Sequence, residues 1–165
     1  MPDPPAQRAY IGIGANLGDA RATVAAALAA LAALPGCQLT TASACYRSAP
    51  VNASGPDFIN AVVALDTTLA PLALLAALQG IELHFGRQRP YANAPRTLDL
   101  DLLLHGDARL QTATLTLPHP RLQQRAFVLQ PLLEIAPDLA APGLGPLARW
   151  LPATAGQLIE RLAPP

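Results

Sequence analysis

The amino-acid sequence predicts an α+β sandwich, in which helices pack on a central antiparallel sheet. Three observations support this class. The chain has 165 residues, about the size of one domain. Hydrophobic residues make up 52% of it and charged residues 13%, the opposite of a disordered chain. The predicted elements follow the order β-α-β-β-α-β-β-α, which suits a sheet covered by helices.

The first half of the sequence carries clear start and stop signals. Asp19 is a favourable N-cap for a helix rich in Ala and Leu, and Pro35 ends that helix. Pro71 suits the first turn of a second helix, because the N–H that proline lacks has no helical partner there. The predicted elements are a strand at 9–13, a helix at 20–34, strands at 39–47 and 57–67, and a helix at 72–85.

The second half predicts two strands, one helix and an irregular tail. The strands cover 98–105 and 110–117. The helix covers 122–135 and contains Pro131, which bends or splits it. Pro and Gly interrupt the tail, where one short amphipathic helix is expected around Leu158.

Termini and loops define the organisation of the chain. Residues 1–8 are Pro-rich and are predicted to be a disordered N-terminal extension, followed by a single domain over 9–165. Loops 47–57 and 86–97 are longer than most connections, and long loops often serve as active-site lids.

The charge balance excludes several classes of function. Eleven Arg balance eleven acidic residues, so the basic excess of a generic nucleic-acid binder is absent and no nucleic-acid partner is expected. The chain contains no Lys, which excludes a Walker A phosphate loop and a Schiff-base mechanism. Any bound anion must be held by Arg, His or backbone N–H groups.

The location expected from the sequence is the cytoplasm. The longest apolar stretch, 24–34, is far shorter than the ~20 residues that span a bilayer, so no membrane partner is expected. The first residues carry no secretory signal pattern. Cys37 and Cys45 fit no zinc or redox spacing and are interpreted as reduced, partly buried thiols.

The sharpest chemical signal is the pair Asp99 and Asp101 in an otherwise apolar strand. Residues two apart in a strand face the same side, about 6–7 Å apart at the backbone, so the two carboxylates lie side by side. Such a pair suits Mg²⁺ that also binds substrate phosphates. The alternative is a solvent-facing stripe, but Leu103 on the same face indicates partial burial.

Cationic residues flank this pair. Arg87, Arg89 and Arg96 share the preceding loop, and Arg121 and Arg125 follow later in the chain. Arg forks beside a carboxylate–metal site are typical of phosphoryl transfer, because they neutralise charge that develops on phosphate oxygens. The alternative for any one of them is an ordinary ion pair on the surface.

Further polar residues have two interpretations each. His119 either caps a turn between two prolines or donates to a phosphate oxygen, and Glu82 either pairs with an Arg or secures one near the site. Asn60 beside Phe58 and Phe127 could hold a flat heterocycle, although the residues by themselves favour a place in the core for both rings.

The glycines Gly12, Gly14 and Gly18 suggest a dinucleotide-binding loop only superficially. Their spacing differs by one residue from that motif, and no acidic residue follows about twenty positions later. They are interpreted as a tight strand-to-helix turn.

Seven short motifs in the same order resemble the 6-hydroxymethyl-7,8-dihydropterin pyrophosphokinase family. Pro-Arg-Thr-Leu-Asp-Leu-Asp is the most specific of them, and together they cover about residues 9–139. The motifs are Tyr10–Gly18, Tyr46–Ser48, Phe58–Ala61, Ile81–Leu83 with Gly86-Arg87, Pro95–Asp101, Leu117–Pro120 and Arg125–Leu129.

The resemblance implies a ferredoxin-like fold and transfer of pyrophosphate from ATP to the pterin hydroxymethyl group, releasing AMP. It assigns two Mg²⁺ ions to Asp99 and Asp101, and it makes these two and Arg87 and Arg96 the catalytic residues. The residues implied to bind the nucleotide are Glu82, Arg87, Arg96, His119 and Arg125. The residues implied to bind the pterin are Ser48, Ala49, Pro50, Val51, Phe58, Asn60 and Phe127.

Two other functions remain compatible with these residues. One is a metal-dependent phosphohydrolase that uses Asp99 and Asp101 with water as the nucleophile. The other is a binding module without turnover, since residues 92–94 lack the Trp that this loop often carries in the family. The protein is expected to act as a monomer on small-molecule substrates.

Overall fold

The computed structural model describes residues 5–50, 55–86 and 98–164. No helix within these ranges is long and apolar enough to cross a membrane. The strands are β1 (Gln7–Ala15), β2 (Cys37–Ala42), β3 (Tyr46–Ser48), β4 (Phe58–Thr67), β5 (Asp99–His105), β6 (Leu110–Gln111), β7 (Thr116–Leu117), β8 (Ala140–Ala141), β9 (Gly145–Pro146) and β10 (Ile159–Arg161). The α-helices are α1 (Ala20–Ala32), α2 (Pro71–Gly86) and α3 (Ala126–Ile135), and 3-10 helices cover Leu122–Gln124 and Leu147–Thr154.

The main sheet has six antiparallel strands. Their order is β10-β3-β4-β1-β5, and β2 pairs with β4 further along that strand than β3 does. β1 and β4 pair along their full lengths, from Gln7 opposite Thr67 to Ala15 opposite Ile59. This strand order, with α1 and α2 as connections, is ferredoxin-like, so the predicted fold class is confirmed.

Both faces of the sheet are covered by helices. Val24 of α1 and Leu74 of α2 join one buried cluster with Ile11, whereas Leu129 of α3 joins a second cluster with Tyr10. Ile11 and Tyr10 are neighbours in β1, so successive strand residues feed opposite cores. The second face, under α3, is the one that carries the polar residues described below.

The helix starts match the signals in the sequence. The Asp19 carboxylate accepts a hydrogen bond from the Ala22 N–H at 3.1 Å and caps α1. Pro71 is the first residue of α2, as predicted. Cys37 and Cys45 are free and half-buried.

The strand predicted over 39–47 is wrong, because β2 and β3 are separate there. The Ser43 hydroxyl accepts from the Val62 N–H at 2.9 Å, and the Glu134 carboxylate accepts from the Ala44 N–H at 3.0 Å. At the break, these two side chains accept hydrogen bonds from backbone N–H groups that would otherwise lack a partner in the sheet. The interruption therefore depends on residues that are distant in sequence.

Two further elements are shorter than predicted. Residues 110–117 form a hairpin of β6 and β7, because the Thr112 N–H donates to the Leu115 carbonyl at 3.0 Å. The helix predicted over 122–135 is divided at Arg125, whose extended backbone separates the 3-10 helix from α3. Pro131 lies inside α3 and does not divide it.

Both ends of the chain also differ from the prediction. The helix expected around Leu158 is wrong, because the segment that follows is β10, paired with β3. Gln7 and Arg8 belong to β1 rather than to a disordered extension. The reason is an ion pair across the strands, in which Arg8 Nε donates to Asp66 Oδ1 at 2.6 Å. Residues 1–4 lie outside the described ranges.

Tyr46 of β3 links the sheet to α3, and its hydroxyl makes the stability of the fold depend on pH in the alkaline range. Burial, and then the hydrogen bond that its hydroxyl donates to Glu134 at 2.6 Å, raise the pKa of Tyr46 from 10.0 to about 12. The neutral phenol therefore stabilises the fold fully below pH 10, and this contribution is lost as the pH rises to 12. We expect the free energy of unfolding to fall by up to about 3 kcal/mol over that window.

Urea unfolding of wild type and Tyr46→Phe at pH 9 and pH 12 measures this dependence. Tyr46→Phe removes the titrating hydroxyl, so its unfolding free energy should fall less than that of the wild type between the two pH values. Equal losses in the two proteins would contradict the assignment.

Candidate active site

A cavity of about 800 Å³ opens on the face of the sheet that α3 covers. Strands β1, β4 and β5 supply its floor, and the segment that leads into α3 supplies one wall. The lining residues are Gly12, Ile13, Gly14, Ser48, Ala49, Phe58, Asn60, Ala61, Asp99, Asp101, Arg121, Gln124, Arg125, Phe127, Val128 and Gln157.

Two glycines of β1 lie in the floor of the cavity. Gly12 pairs with Asp101, and Gly14 lies between Asn60 on one side and Asp99 on the other. A Cβ atom on Gly14 would lie 3.5 Å from Asn60 Oδ1. The interpretation of Gly12 and Gly14 as part of a tight turn is therefore wrong, since both lie within β1 and leave space above the sheet.

Asp99 and Asp101 face the cavity from β5, as the two-residue period of a strand requires. Leu103, the next residue on that face, is fully buried in the cluster under α3. The pair is thus at the edge of a core, not on a solvated stripe. Along this face of β5, Leu103 lies in the core and the two carboxylates lie in the cavity.

The donor set suits Mg²⁺. No group of three or more His, Cys, Asp or Glu side chains that could hold a metal occurs in the described part of the chain. A site with only two carboxylates leaves most coordination positions to water and substrate oxygens, which is how Mg²⁺ is usually bound beside phosphates. Asp99 and Asp101 therefore fit the magnesium that the sequence predicts, but they do not form a closed protein site.

Two arginines line the same cavity as the carboxylates. Arg121 and Arg125 line it from the segment before α3, and the Arg125 guanidinium lies 5.5 Å from the centre of the Phe127 ring. That contact is weakly attractive and favours a guanidinium placed over the ring. Opposite charges thus meet in one cavity, an arrangement that can bind a polyphosphate together with a metal ion.

His119 lies beside this group without lining the cavity. Burial lowers the pKa of His119, the charges of Arg125 and Arg121 lower it further, and Asp101 opposes them. Its Nδ1 accepts a hydrogen bond from the Arg121 N–H at 3.1 Å. The ring is therefore neutral near pH 7 with its proton on Nε2, the form that can donate one hydrogen bond.

The other end of the cavity is a neutral polar pocket. Asn60 is buried in β4, and its Nδ2 donates to the Ser48 hydroxyl of β3 at 2.7 Å. Phe58 and Phe127 line the cavity near this pair. A fixed amide in a cavity that aromatic rings also line is suited to a flat, hydrogen-bonding heterocycle.

Glu82 supports the edge of β5 from α2. Its carboxylate accepts a hydrogen bond from the Leu100 N–H at 2.9 Å, between the two aspartates in sequence. Glu82 does not line the cavity, so its predicted contact with a nucleotide stays a prediction.

Most of the residues predicted for the site lie together. Eight of them line the cavity: Ser48, Ala49, Phe58, Asn60, Asp99, Asp101, Arg125 and Phe127. Pro50 lines a smaller pocket that shares Ser48, Ala49 and Phe127 with the cavity. Val51, Arg87 and Arg96 lie outside the described residues.

Eight lining residues were not assigned a site role by the resemblance. They are Gly12, Ile13, Gly14, Ala61, Arg121, Gln124, Val128 and Gln157. For Gly12 and Gly14 the sequence did contain a signal: two glycines spaced two apart in or next to a predicted strand lie on one face and leave space there. Gln157 carried no local signal, since it comes from the tail.

The sequence model of the family described as 7,8-dihydro-6-hydroxymethylpterin-pyrophosphokinase matches residues 10–137. The chain is 48% identical over 157 residues to 2-amino-4-hydroxy-6-hydroxymethyldihydropteridine pyrophosphokinase of Pseudomonas aeruginosa, covering 94% of this chain and 97% of that protein. It is 44% identical to the protein of the same name from Synechocystis, covering 93% and 75%. It is also 38% identical to the folic acid synthesis protein fol1 of Schizosaccharomyces pombe, covering 81% and 18%.

Solved structures share the fold at low sequence identity. A crystal structure of HPPK-DHPS in complex with substrates has a TM-score of 0.73 and 12% identity, covering 90% of this chain and 43% of that one. The structure of Plasmodium falciparum HPPK-DHPS A437G with pteroate has a TM-score of 0.70 at 12% identity, covering 91% and 43%. This chain therefore spans less than half of those fused chains.

Proposed function

Because the chain belongs to the 7,8-dihydro-6-hydroxymethylpterin-pyrophosphokinase family of folate biosynthesis, we propose that it transfers pyrophosphate from ATP to 6-hydroxymethyl-7,8-dihydropterin. The observation that carries this proposal is one cavity that joins a carboxylate pair and two arginines to a neutral pocket with a buried amide. The first end suits ATP phosphates with magnesium, and the second suits a pterin ring.

In the proposed reaction the hydroxymethyl oxygen attacks the β-phosphorus of ATP. The new O–Pβ bond forms as the bond from Pβ to the oxygen bridging the α-phosphate breaks; AMP leaves with that oxygen, and the hydroxyl proton is released to water. Asp99 and Asp101 would hold two Mg²⁺ ions, which when bound neutralise charge on the phosphate oxygens. The cavity walls orient the hydroxyl towards the phosphorus, so that a bimolecular reaction proceeds within one complex.

The chain's own cations take the charge that spreads over the phosphates. Arg125 lines the same cavity as the aspartates, and the neutral His119 supplies one N–H donor nearby. Arg87 and Arg96 are proposed to contact the ATP phosphates on the strength of the sequence motif alone. Since these groups are permanently charged or already carry their proton, they need no proton transfer to act.

We propose that Asn60 and Ser48 bind the pterin. Ser48→Ala removes the acceptor that fixes the Asn60 amide and leaves a buried donor without that partner. We expect the KM for the pterin to rise roughly tenfold while the KM for ATP stays within about twofold, because the pair lies at the neutral end of the cavity. Steady-state kinetics with each substrate varied in turn measure both constants, and an equal rise in both would contradict the assignment.

The reaction itself is tested by incubating the protein with Mg²⁺, ATP and 6-hydroxymethyl-7,8-dihydropterin, then separating the nucleotides by chromatography. The proposal requires AMP and pterin diphosphate in equal amounts. ADP or free phosphate without a pterin product would indicate a phosphohydrolase instead. Binding of both substrates without turnover would indicate a binding module.

We further propose, as expected from the sequence, that the protein acts as a monomer. Light scattering after size-exclusion chromatography tests this, and a dimer mass would overturn it. The cytoplasmic location expected from the sequence stays a prediction.

A further inference from the structure

The tail reaches the cavity through one side chain, Gln157. Its Oε1 accepts a hydrogen bond from the Ala126 N–H at 2.9 Å, and its Nε2 donates to the Gln124 carbonyl at 2.7 Å. The amide therefore bridges the junction where the 3-10 helix ends and α3 begins. Arg125 lies between the two bridged residues.

Helix α3 needs an acceptor from elsewhere in the chain. Its N-cap position is occupied by Arg125, whose side chain makes no capping hydrogen bond, and its first turn contains no acidic residue. The Ala126 N–H is one of the donors that a helix start leaves without an intrahelical partner. An N-cap Ser or Asp would accept from the N–H groups one or two residues further into the helix, but it could not present a cation to the cavity. Gln157 supplies the acceptor and leaves the Arg125 position free for a guanidinium.

The tail is held firmly enough to act in this way. Strand β10 pairs with β3, with Ile159 opposite Ser48. The Leu162 N–H donates to the Cys45 carbonyl at 2.9 Å, and Arg21 donates to the Ala163 carbonyl at 2.8 Å. Gln157 is thus anchored to the sheet edge next to Ser48, and it connects the wall at the pterin end with the wall that carries Arg125.

We propose that Gln157 is a positioning residue that holds Arg125 in the orientation that binds the nucleotide phosphates. This inference rests on the proposed function. It lies beyond the stretch matched by the family sequence model, which ends at residue 137. Without the bridge, the residues on either side of Arg125 lose their hydrogen bonds to Gln157, and we expect the guanidinium to lose its preferred orientation.

Gln157→Met tests the proposal, because Met preserves the length of the side chain but removes both hydrogen bonds. Binding of a non-hydrolysable ATP analogue with Mg²⁺ is measured by calorimetry. We expect roughly tenfold weaker binding, the scale of a disturbed binding geometry with two lost hydrogen bonds. The control is Glu160→Gln in the same tail, which removes the exposed pair with Arg47 and should leave analogue binding unchanged.

A double-mutant cycle with Arg125→Ala separates positioning from direct contact and from general destabilisation. If Gln157 acts through Arg125, Gln157→Met has little further effect once Arg125 is gone. Additive losses, or unchanged binding in the single variant, would overturn the proposal.

An assay of AMP formation by the wild type tests the proposed reaction separately from the positioning role of Gln157. If no AMP forms but the coupling between Gln157 and Arg125 persists in analogue binding, the proposed reaction is wrong and the positioning role stands. A wild-type protein that binds no analogue overturns both.

Discussion

Asp99→Asn and Asp101→Asn are each expected to lose roughly a thousandfold in kcat while the protein remains folded. Asparagine keeps the size of the side chain but removes the negative charge that would attract Mg²⁺. Both residues line the cavity from β5. We expect each carboxylate to be needed for the metal, so that the remaining one does not compensate for the loss of the other. The loss is of the size seen when a preorganised electrostatic group is removed from an active site.

The control for these variants is Asp107→Asn, an exposed residue in the turn after β5. It changes the net charge by the same amount and should keep wild-type turnover. Thermal unfolding of all three variants shows whether the fold is intact, and titration with Mg²⁺ shows whether the metal requirement has shifted. If either active-site variant retains a rate within about tenfold of the wild type, a difference of ~1.4 kcal/mol, the magnesium assignment is wrong.

The aspartate pair could be placed from sequence because the reasoning was local. A strand exposes every second residue on one face, so Asp99, Asp101 and Leu103 had to share a side, and the burial of Leu103 fixes which side that is. The order of strands and helices was equally local, since Asp19 and Pro71 mark their helix starts directly.

What the sequence did not predict depends on contacts between distant segments. The break between β2 and β3 is stabilised by Val62 and Glu134, which no local pattern connects to Ser43 and Ala44. The tail was expected to form a short amphipathic helix because Leu158, Ile159 and Leu162 have a helical spacing, whereas pairing with β3 makes residues 159–161 a strand. The same pairing brings the tail to the cavity.

Gly14→Val is expected to abolish pterin turnover, with a loss of at least about a hundredfold in kcat/KM. Gly14 lies in the extended strand β1, and its backbone is not in the left-handed region, so the position does not require glycine for conformational reasons. A Cβ there would lie 3.5 Å from Asn60 Oδ1 and 3.9 Å from Phe58 Cδ1, which are ordinary contact distances. The Val methyl groups must then project beyond Cβ into the space that the pterin is proposed to occupy.

Stability separates this effect from misfolding, because valine suits a strand better than glycine does. Gly14→Val should unfold at the same temperature as the wild type or higher, although it is inactive. Gly80→Ala is the matched control, since Gly80 lies within α2 with nothing within 4 Å of its added Cβ. That variant should gain about 0.5–1 kcal/mol of stability and keep full activity. A Gly14→Val protein with a normal KM for the pterin would place the pterin elsewhere, whereas a stable and inactive one would indicate that Gly14 is present for the space it leaves.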